Sequence, residues 1–244
     1  MNKNKTLILT ANVNAHKLAM KLMSLHGEID IYQSPSGPFT GVPRLNVCEQ
    51  VSMITTTYNL VLSIHCKQLF PPELVNSVRC VNVHPGLNPY NRGWFPQVFS
   101  IINGLPCGVT IHEIDNELDH GPIIVQKICK IQSWDTSASA YKKIIKLENE
   151  LVLKHFTSIR DRSYSSSSPE EEGFINFKED FERLKLIDRT QRGTFGEFID
   201  RLRALTHDSY KNAYFEDQSG IKVFLRISLE PERSTDNTLS EKYM

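Results

Sequence analysis

The chain lacks any excess of charge: among its 244 residues, 28 basic side chains balance 28 acidic ones. No global field therefore draws it to nucleic acid or to an anionic membrane surface. No apolar run approaches the ~20 residues that a membrane span requires. The opening Met1–Thr10 has a basic flank but only a short apolar stretch. It predicts a first buried strand rather than a signal peptide. Cysteine is sparse and shows no pairing pattern, since Cys48, Cys66, Cys80, Cys107 and Cys129 are odd in number and contain no Cys-x-x-Cys. Most lie in or beside apolar runs, which predicts buried free thiols in a reducing cytosol and a cytoplasmic protein. His65 beside Cys66 is the one close His/Cys pair and falls within one strand, so no metal site is expected. Internal repeats are absent. So is a glycine-rich phosphate loop after the first strand, where the chain reads Thr10-Ala11-Asn12-Val13-Asn14.

What is present is an alternation of apolar strands and amphipathic helices over the front of the chain. It predicts an α/β, Rossmann-like, mostly parallel twisted sheet with helices on both faces. Strands are expected at 6–11, 29–32, 60–65, 80–83, 108–114 and 123–131, and helices at 14–25, 47–57, 71–78 and 96–103. Residues 136–159 form the longest helical pattern, capped by Thr136 or Ser137, with Ala138, Tyr141, Ile145, Val152, Phe156 and Ile159 on or near one face. The order implies a first unit over 1–160 and a polar linker or mobile loop over 161–173, where Ser165–Ser168 precede Pro169 and three Glu. A small helical and β-hairpin unit follows over 174–244. Within it, 174–207 reads as helical, 212–216 and 221–228 as hairpin strands, and the polar tail from Glu230 as frayed.

Two stretches carry the chemistry. Asn82-Val83-His84-Pro85 closes one apolar run, and His112 with Asp119-His120-Gly121 follows a second. Taken singly, each is ordinary: Asn-x-His before proline suits a strand end, and Asp before a glycine suits a tight turn. His112 could equally be a polar residue facing outward from an edge strand. Together, an Asn, a His and an Asp meeting at the carboxyl end of a sheet can activate an amine and polarise a small carbonyl.

At these residues the chain resembles the formyltransferases that use 10-formyltetrahydrofolate, whose hallmark is an Asn-x-His-Pro turn with a later His and an Asp before glycine. The likeness is strong over about 60–130 and covers the rest of the first 160 residues as general layout. The common Asn-x-His-Pro-Ser-Leu-Leu-Pro reads here with Gly86 and Asn88, and the run Asn88-Pro89-Tyr90-Asn91-Arg92-Gly93-Trp94-Phe95-Pro96-Gln97 is similar to the sugar branch, which formylates dTDP-4-amino-4,6-dideoxyglucose. The resemblance implies a formyltransferase catalytic domain over 1–160, acting on a nucleotide-linked amino sugar for surface polysaccharide (O-antigen) synthesis. His84 would be the general base, Asn82 the donor to the formyl oxygen, and Asp119 the partner that orients His84. The co-substrate 10-formyltetrahydrofolate would bind through Gln68, Leu69, Phe70, His112, Asp115 and Leu118, largely by backbone groups. Tyr90, Arg92 and Trp94 would meet the nucleotide sugar, and the C-terminal unit would form a homodimer. Other amines (a UDP-amino sugar or a tRNA) and a non-catalytic binding module on the same fold are the alternatives. Residues 169–244 hold 16 acidic against 12 basic side chains, which disfavours nucleic acid.

Overall fold

The computed structural model describes residues 5–232, so most of the expected frayed tail lies outside the described residues. The elements run β1 (Thr6–Thr10), α1 (Val13–His26), β2 (Ile29–Gln33), α2 (Val51–Thr57), β3 (Leu60–Ile64), α3 (Pro72–Ser77) and β4 (Arg79–His84). They continue with β5 (Arg92–Gly93), α4 (Pro96–Asn103), β6 (Gly108–Glu113), β7 (Ile123–Ile128) and α5 (Ser137–Arg160). The chain closes with β8 (Ile175–Asn176), α6 (Lys178–Lys185), α7 (Phe195–Leu205), β9 (Ala213–Glu216) and β10 (Lys222–Leu225).

Six strands form one sheet in the order β2-β1-β3-β4-β6-β7. The first four run parallel, while β6 and β7 are antiparallel additions. Strand alternation sends apolar residues to both faces. Ile8, Leu60, Leu62, Ile64, Val81 and Val83 pack with α1 and α5, whose Phe156 is fully buried among them. Leu7, Leu9, Val61 and Cys80 pack with α2 and α3 on the opposite face. The long helix α5 starts at a capping box, in which Thr136 and Ser139 satisfy each other's backbone N–H groups. Among the described residues no helix is long and apolar enough to cross a membrane. All five cysteines are free; three are buried, Cys66 is half-buried and Cys48 is exposed.

Three expectations need correction. The helix predicted from residue 47 begins only at Val51, because Val47 N–H is taken by Gln68 Oε1 at 3.0 Å. The helix predicted over 174–207 is broken in two. Ile187 N–H donates to Tyr214 O at 2.7 Å, which ties the break to the hairpin, and Thr194 with Glu197 opens α7 afresh as a capping box. Finally, 161–173 is a strap rather than a loose linker. Ser167 and Ile123 exchange two backbone hydrogen bonds, and Tyr164 Oη donates to Glu113 at 2.9 Å. Beyond the strap, β8 pairs with β5, so the chain returns to the neighbourhood of β4 before entering the small C-terminal unit. That unit's core joins α4 to α6, α7 and the hairpin through Val98, Phe99, Phe181, Ile187, Leu202 and Leu205.

Because Phe156 seals α5 against the sheet, Phe156→Ala is expected to cost about 3–5 kcal/mol of unfolding free energy, the scale for removing a buried aromatic ring. Urea denaturation checks this, and a loss below about 1 kcal/mol would place the ring outside the cooperative core.

Candidate active site

β4 carries Asn82 and His84 to the carboxyl end of the sheet, two residues apart and therefore on one face. Antiparallel pairing sets His112 of β6 directly opposite Asn82. Asp119 arrives from the β6–β7 loop with a left-handed backbone, φ 48°. Its carboxylate accepts from Asn82 Nδ2 at 2.9 Å and from the Gly93 N–H at 3.1 Å, and its carbonyl accepts from Asn88 Nδ2 at 2.8 Å. His84 Nδ1 lies 3.4 Å from the same carboxylate. Gly93 can present its N–H there because its backbone sits at φ 87°, a region open to glycine.

Burial opposes ionisation of Asp119, but His84, His112 and the Gly93 N–H outweigh it and hold the carboxyl well below the usual carboxylate range. Burial also pushes the His84 imidazole below its ordinary value; Asp119 resists this, while His112, His65 and Arg92 reinforce it. His84 is therefore neutral at physiological pH. With Nδ1–H turned to Asp119, its lone pair is on Nε2, which is buried without a hydrogen-bond partner. An ionised carboxylate beside a neutral imidazole with a free ring nitrogen is a base ready to accept a proton.

The other expected contacts divide. His112 is buried rather than outward-facing, on an interior strand. Its Nδ1 faces Glu113 O at 2.7 Å and its Nε2 faces Asn82 Nδ2 at 3.2 Å, so it props the Asn–Asp pair. Asn82 thus has both amide N–H directions occupied, by Asp119 and His112. Gln68 spends its side chain on Leu45 and Val47, Phe70 packs into the core beside α2 and α3, and Asp115 closes a turn with His120 at 2.7 Å. None of these three side chains is free to select a ligand. Leu69 is exposed and Leu118 half-buried at the same edge.

Of the expected sugar contacts, Tyr90 is half-buried and Trp94 is exposed, with Lys67 5.9 Å from its ring centre. Arg92 is only 4% exposed, and its Nε and Nη1 have no partner. It lines a cavity with Asp119, His120, Pro89 and Pro169–Glu172 of the strap, so it is covered from open solvent. Sequence reasoning missed Ser63, which donates to Asn82 Oδ1 at 2.8 Å, and the service of Asn88 to Asp119. The departure of Asn88 from the common Leu was the available signal for the latter. Among the described residues, no group of three His, Cys, Asp or Glu side chains could hold a metal ion.

Gly86 fixes the His84 ring. A Cβ there would run into His84 Nε2 and lie 2.7 Å from Cδ2. Gly86→Ala is expected to leave the fold intact but swing the imidazole away from Asp119. Histidine-selective NMR reads this as displaced His84 resonances, and an unmoved ring in a folded variant would contradict it.

A family model described as formyl transferase matches residues 47–155, and one described as an N-formyltransferase dimerization C-terminal domain matches 180–231. The chain is 60% identical over 230 residues to the dTDP-4-amino-4,6-dideoxyglucose formyltransferase of Mycobacterium tuberculosis, covering 94% of this chain and 98% of that protein. A crystal structure from Mycobacterium tuberculosis superposes with a TM-score of 0.92 at 61% identity, over 94% of this chain and 99% of the other. The fold extends to a sugar 3N-formyl transferase solved with dTDP and 5-N-formyl-THF, at 19% identity and a TM-score of 0.68, over 87% of this chain and 83% of that one.

Proposed function

From the premise that this chain belongs to the formyltransferase family and is an N-formyltransferase, we propose that it moves a formyl group from 10-formyltetrahydrofolate to the amine of dTDP-4-amino-4,6-dideoxyglucose. The observation that carries the reading is the meeting of Asn82, His84 and Asp119 at the sheet edge, with the free His84 Nε2 and the ionised Asp119. His84 takes the proton released as the amine bonds to the formyl carbon. Asp119 fixes the imidazole tautomer and stabilises its charged form. Asn82 keeps its 2.9 Å bond to Asp119 and exchanges the longer 3.2 Å contact with His112 for the formyl oxygen, where negative charge grows.

The folate is held by backbone groups of 68–70 and 115–118, since the Gln68 and Asp115 side chains are already bonded to Leu45, Val47 and His120. Arg92 lines the cavity under the strap with Nε and Nη1 unpartnered, and there it steadies the sugar side of the reaction. A tRNA substrate fits poorly, since the C-terminal unit carries more acidic than basic side chains. The formylated sugar serves surface polysaccharide synthesis in this reading. The direct test is incubation with 10-formyltetrahydrofolate and a panel of dTDP- and UDP-amino sugars. Preferential formylation of the dTDP-4-amino sugar supports the proposal, and no turnover on any amino sugar ends it.

His84→Ala and Asp119→Ala should each lower turnover by a factor on the order of 100 or more, the scale for losing a general base or its partner. Asn82→Asp should do at least as much harm, because a carboxylate there opposes the developing charge. Near-normal rates in any folded variant of this set would remove that residue from its role.

The C-terminal unit provides the dimer interface in this proposal. Phe215, Leu225 and Ile227 are turned inward onto their own core, whereas Phe195, Phe198, Ile199 and Phe224 are exposed. Exposed apolar side chains of this kind ask for cover, and a two-fold partner supplies it. Light scattering should show a dimer, and Phe198→Glu or Phe224→Glu should yield a folded monomer. A monomeric unmodified protein at micromolar concentration would refute the interface.

A further inference from the structure

A second histidine–carboxylate pair stands on the same edge of the sheet. β3 and β4 run parallel with Ile64 beside Val83, and His65 follows the end of β3 as His84 closes β4. His65 adopts a left-handed backbone, φ 55°, which breaks the strand's alternation and turns its ring to α5. There its Nε2 meets both carboxylate oxygens of Glu148, at 3.1 and 2.9 Å. The Glu148 side chain is 1% exposed and that of His65 11%. Among the described residues, His65 is the only hydrogen-bond partner of this carboxylate.

Neighbouring positions of α5, Ile144, Leu147 and Leu151, are apolar core. A carboxylate buried in that row costs several kcal/mol unless paired, and a leucine would serve packing better. A polar pair that breaks the local rule at the edge of an active site is a candidate for function. The pairing also sets the tautomer. With Nε2–H given to Glu148, the lone pair of His65 is on Nδ1, the reverse of the arrangement at His84.

We propose that His65 and Glu148 form a second histidine–carboxylate dyad, which takes the proton that the nucleotide-sugar ammonium must lose before it can attack. This rests on the proposed function. An ammonium has no lone pair, and the base at His84 is needed for a different proton. The sequence of steps balances. The ammonium gives one proton to His65 Nδ1. The freed amine bonds to the formyl carbon as the bond from that carbon to N10 breaks. The second proton passes from the attacking nitrogen to His84 Nε2 and then to N10 of the departing tetrahydrofolate. The proton on His65 leaves to water.

Phe70, which ends one proposed folate loop, and Ile114, which precedes the other, both pack on the α2–α3 face of the sheet. His65 and Glu148 lie on the α5 face, with Tyr141 and Asn12, so the dyad requires the sugar amine to approach from that side. The titratable groups around His65 are few. Burial pushes the Tyr141 hydroxyl up to about 12, so it stays neutral. Its ring lies 6.3 Å from that of His65 and 5.7 Å from that of His207. Across the strand gap stands His84, with Asp119, His112 and Arg92 behind it.

The test is the pH dependence of kcat/KM for the amino sugar at saturating 10-formyltetrahydrofolate, in the unmodified enzyme and in His65→Gln, Glu148→Gln and His84→Ala. At pH 6.5 the His65 and Glu148 variants should fall by about tenfold or more, as for loss of a proton acceptor. Near pH 9.5, above the range of about 8 typical of an α-amino group, they should return to within about threefold of the unmodified enzyme. His84→Ala should stay impaired throughout. A deficit of the same factor at every pH, or no deficit at all, overturns the dyad while leaving the proposed function standing. Failure of both conservative variants to fold assigns the pair to structure and also overturns it. An unmodified enzyme that formylates no amino sugar overturns both readings together.

Discussion

The structure is organised around one buried negative charge. The Asp119 carboxylate is nearly withdrawn from water, and an ion so placed costs several kcal/mol unless donors surround it. Its donors come from two elements: Asn82 and His84 from β4, and Gly93 from β5. Asn88 adds a bond to the Asp119 carbonyl. Each of these groups must therefore converge before the charge is tolerable, and their convergence forms the candidate site. The same donors that make the charge tolerable in folding terms keep it ionised.

The strap and the small C-terminal unit follow from that centre. Residues 162–173 return from the end of α5, pair with Ile123 and place Pro169–Glu172 over the cavity that holds Arg92 and Asp119. β8 then joins β5, whose Gly93 N–H is one of the carboxylate's donors. A hydrogen-bonded path thus connects the C-terminal unit to Asp119 within a few residues. The unit's core also includes α4, which starts immediately after β5. Whatever covers the exposed Phe195 and Phe198 steadies α7, and through the packing of α7 on α4 it steadies the loop that feeds Asp119.

Much of this was legible in the sequence, for identifiable reasons. Strands and long helices were readable because their periodicity is strong; 96–103 and α5 are found where the apolar pattern puts them. The Asn82, His84 and Asp119 cluster was legible because an Asn-x-His-Pro at one strand end and an Asp before glycine in the loop after a later strand stood in a fixed order. The break between α6 and α7 was missed although residues 188–194 hold no apolar side chain and Thr194-x-x-Glu197 is a start signal in its own right. The strap was misread because a run of serines and glutamates resembles a flexible linker, while its ordering comes from backbone pairing that composition does not encode. His65 carried no sequence signal of its own. Its partner, Glu148, is 83 residues away on another element, and only the fold brings them together.

The departures of this chain from the common turn, Gly86 and Asn88, act as a pair. His84 lies over Gly86 with Nε2 where a Cβ would stand, so a serine at 86 and this ring position exclude one another. Asn88 meanwhile draws the Asp119 backbone toward the turn by its side-chain bond, and its own N–H is held by Thr110 Oγ1 at 3.0 Å. Thr110 in turn donates to Gly86 O at 2.8 Å. The three residues close one circuit: Gly86 makes room for the imidazole, Thr110 holds the turn, and Asn88 brings the carboxylate's loop to meet it. Restoring the common serine alone would therefore disturb the imidazole without releasing the loop. The common leucine alone would release the loop and leave the imidazole in place. Neither substitution reproduces the common arrangement by itself, because the space for the imidazole and the tether of the Asp119 loop are set by different residues of one circuit.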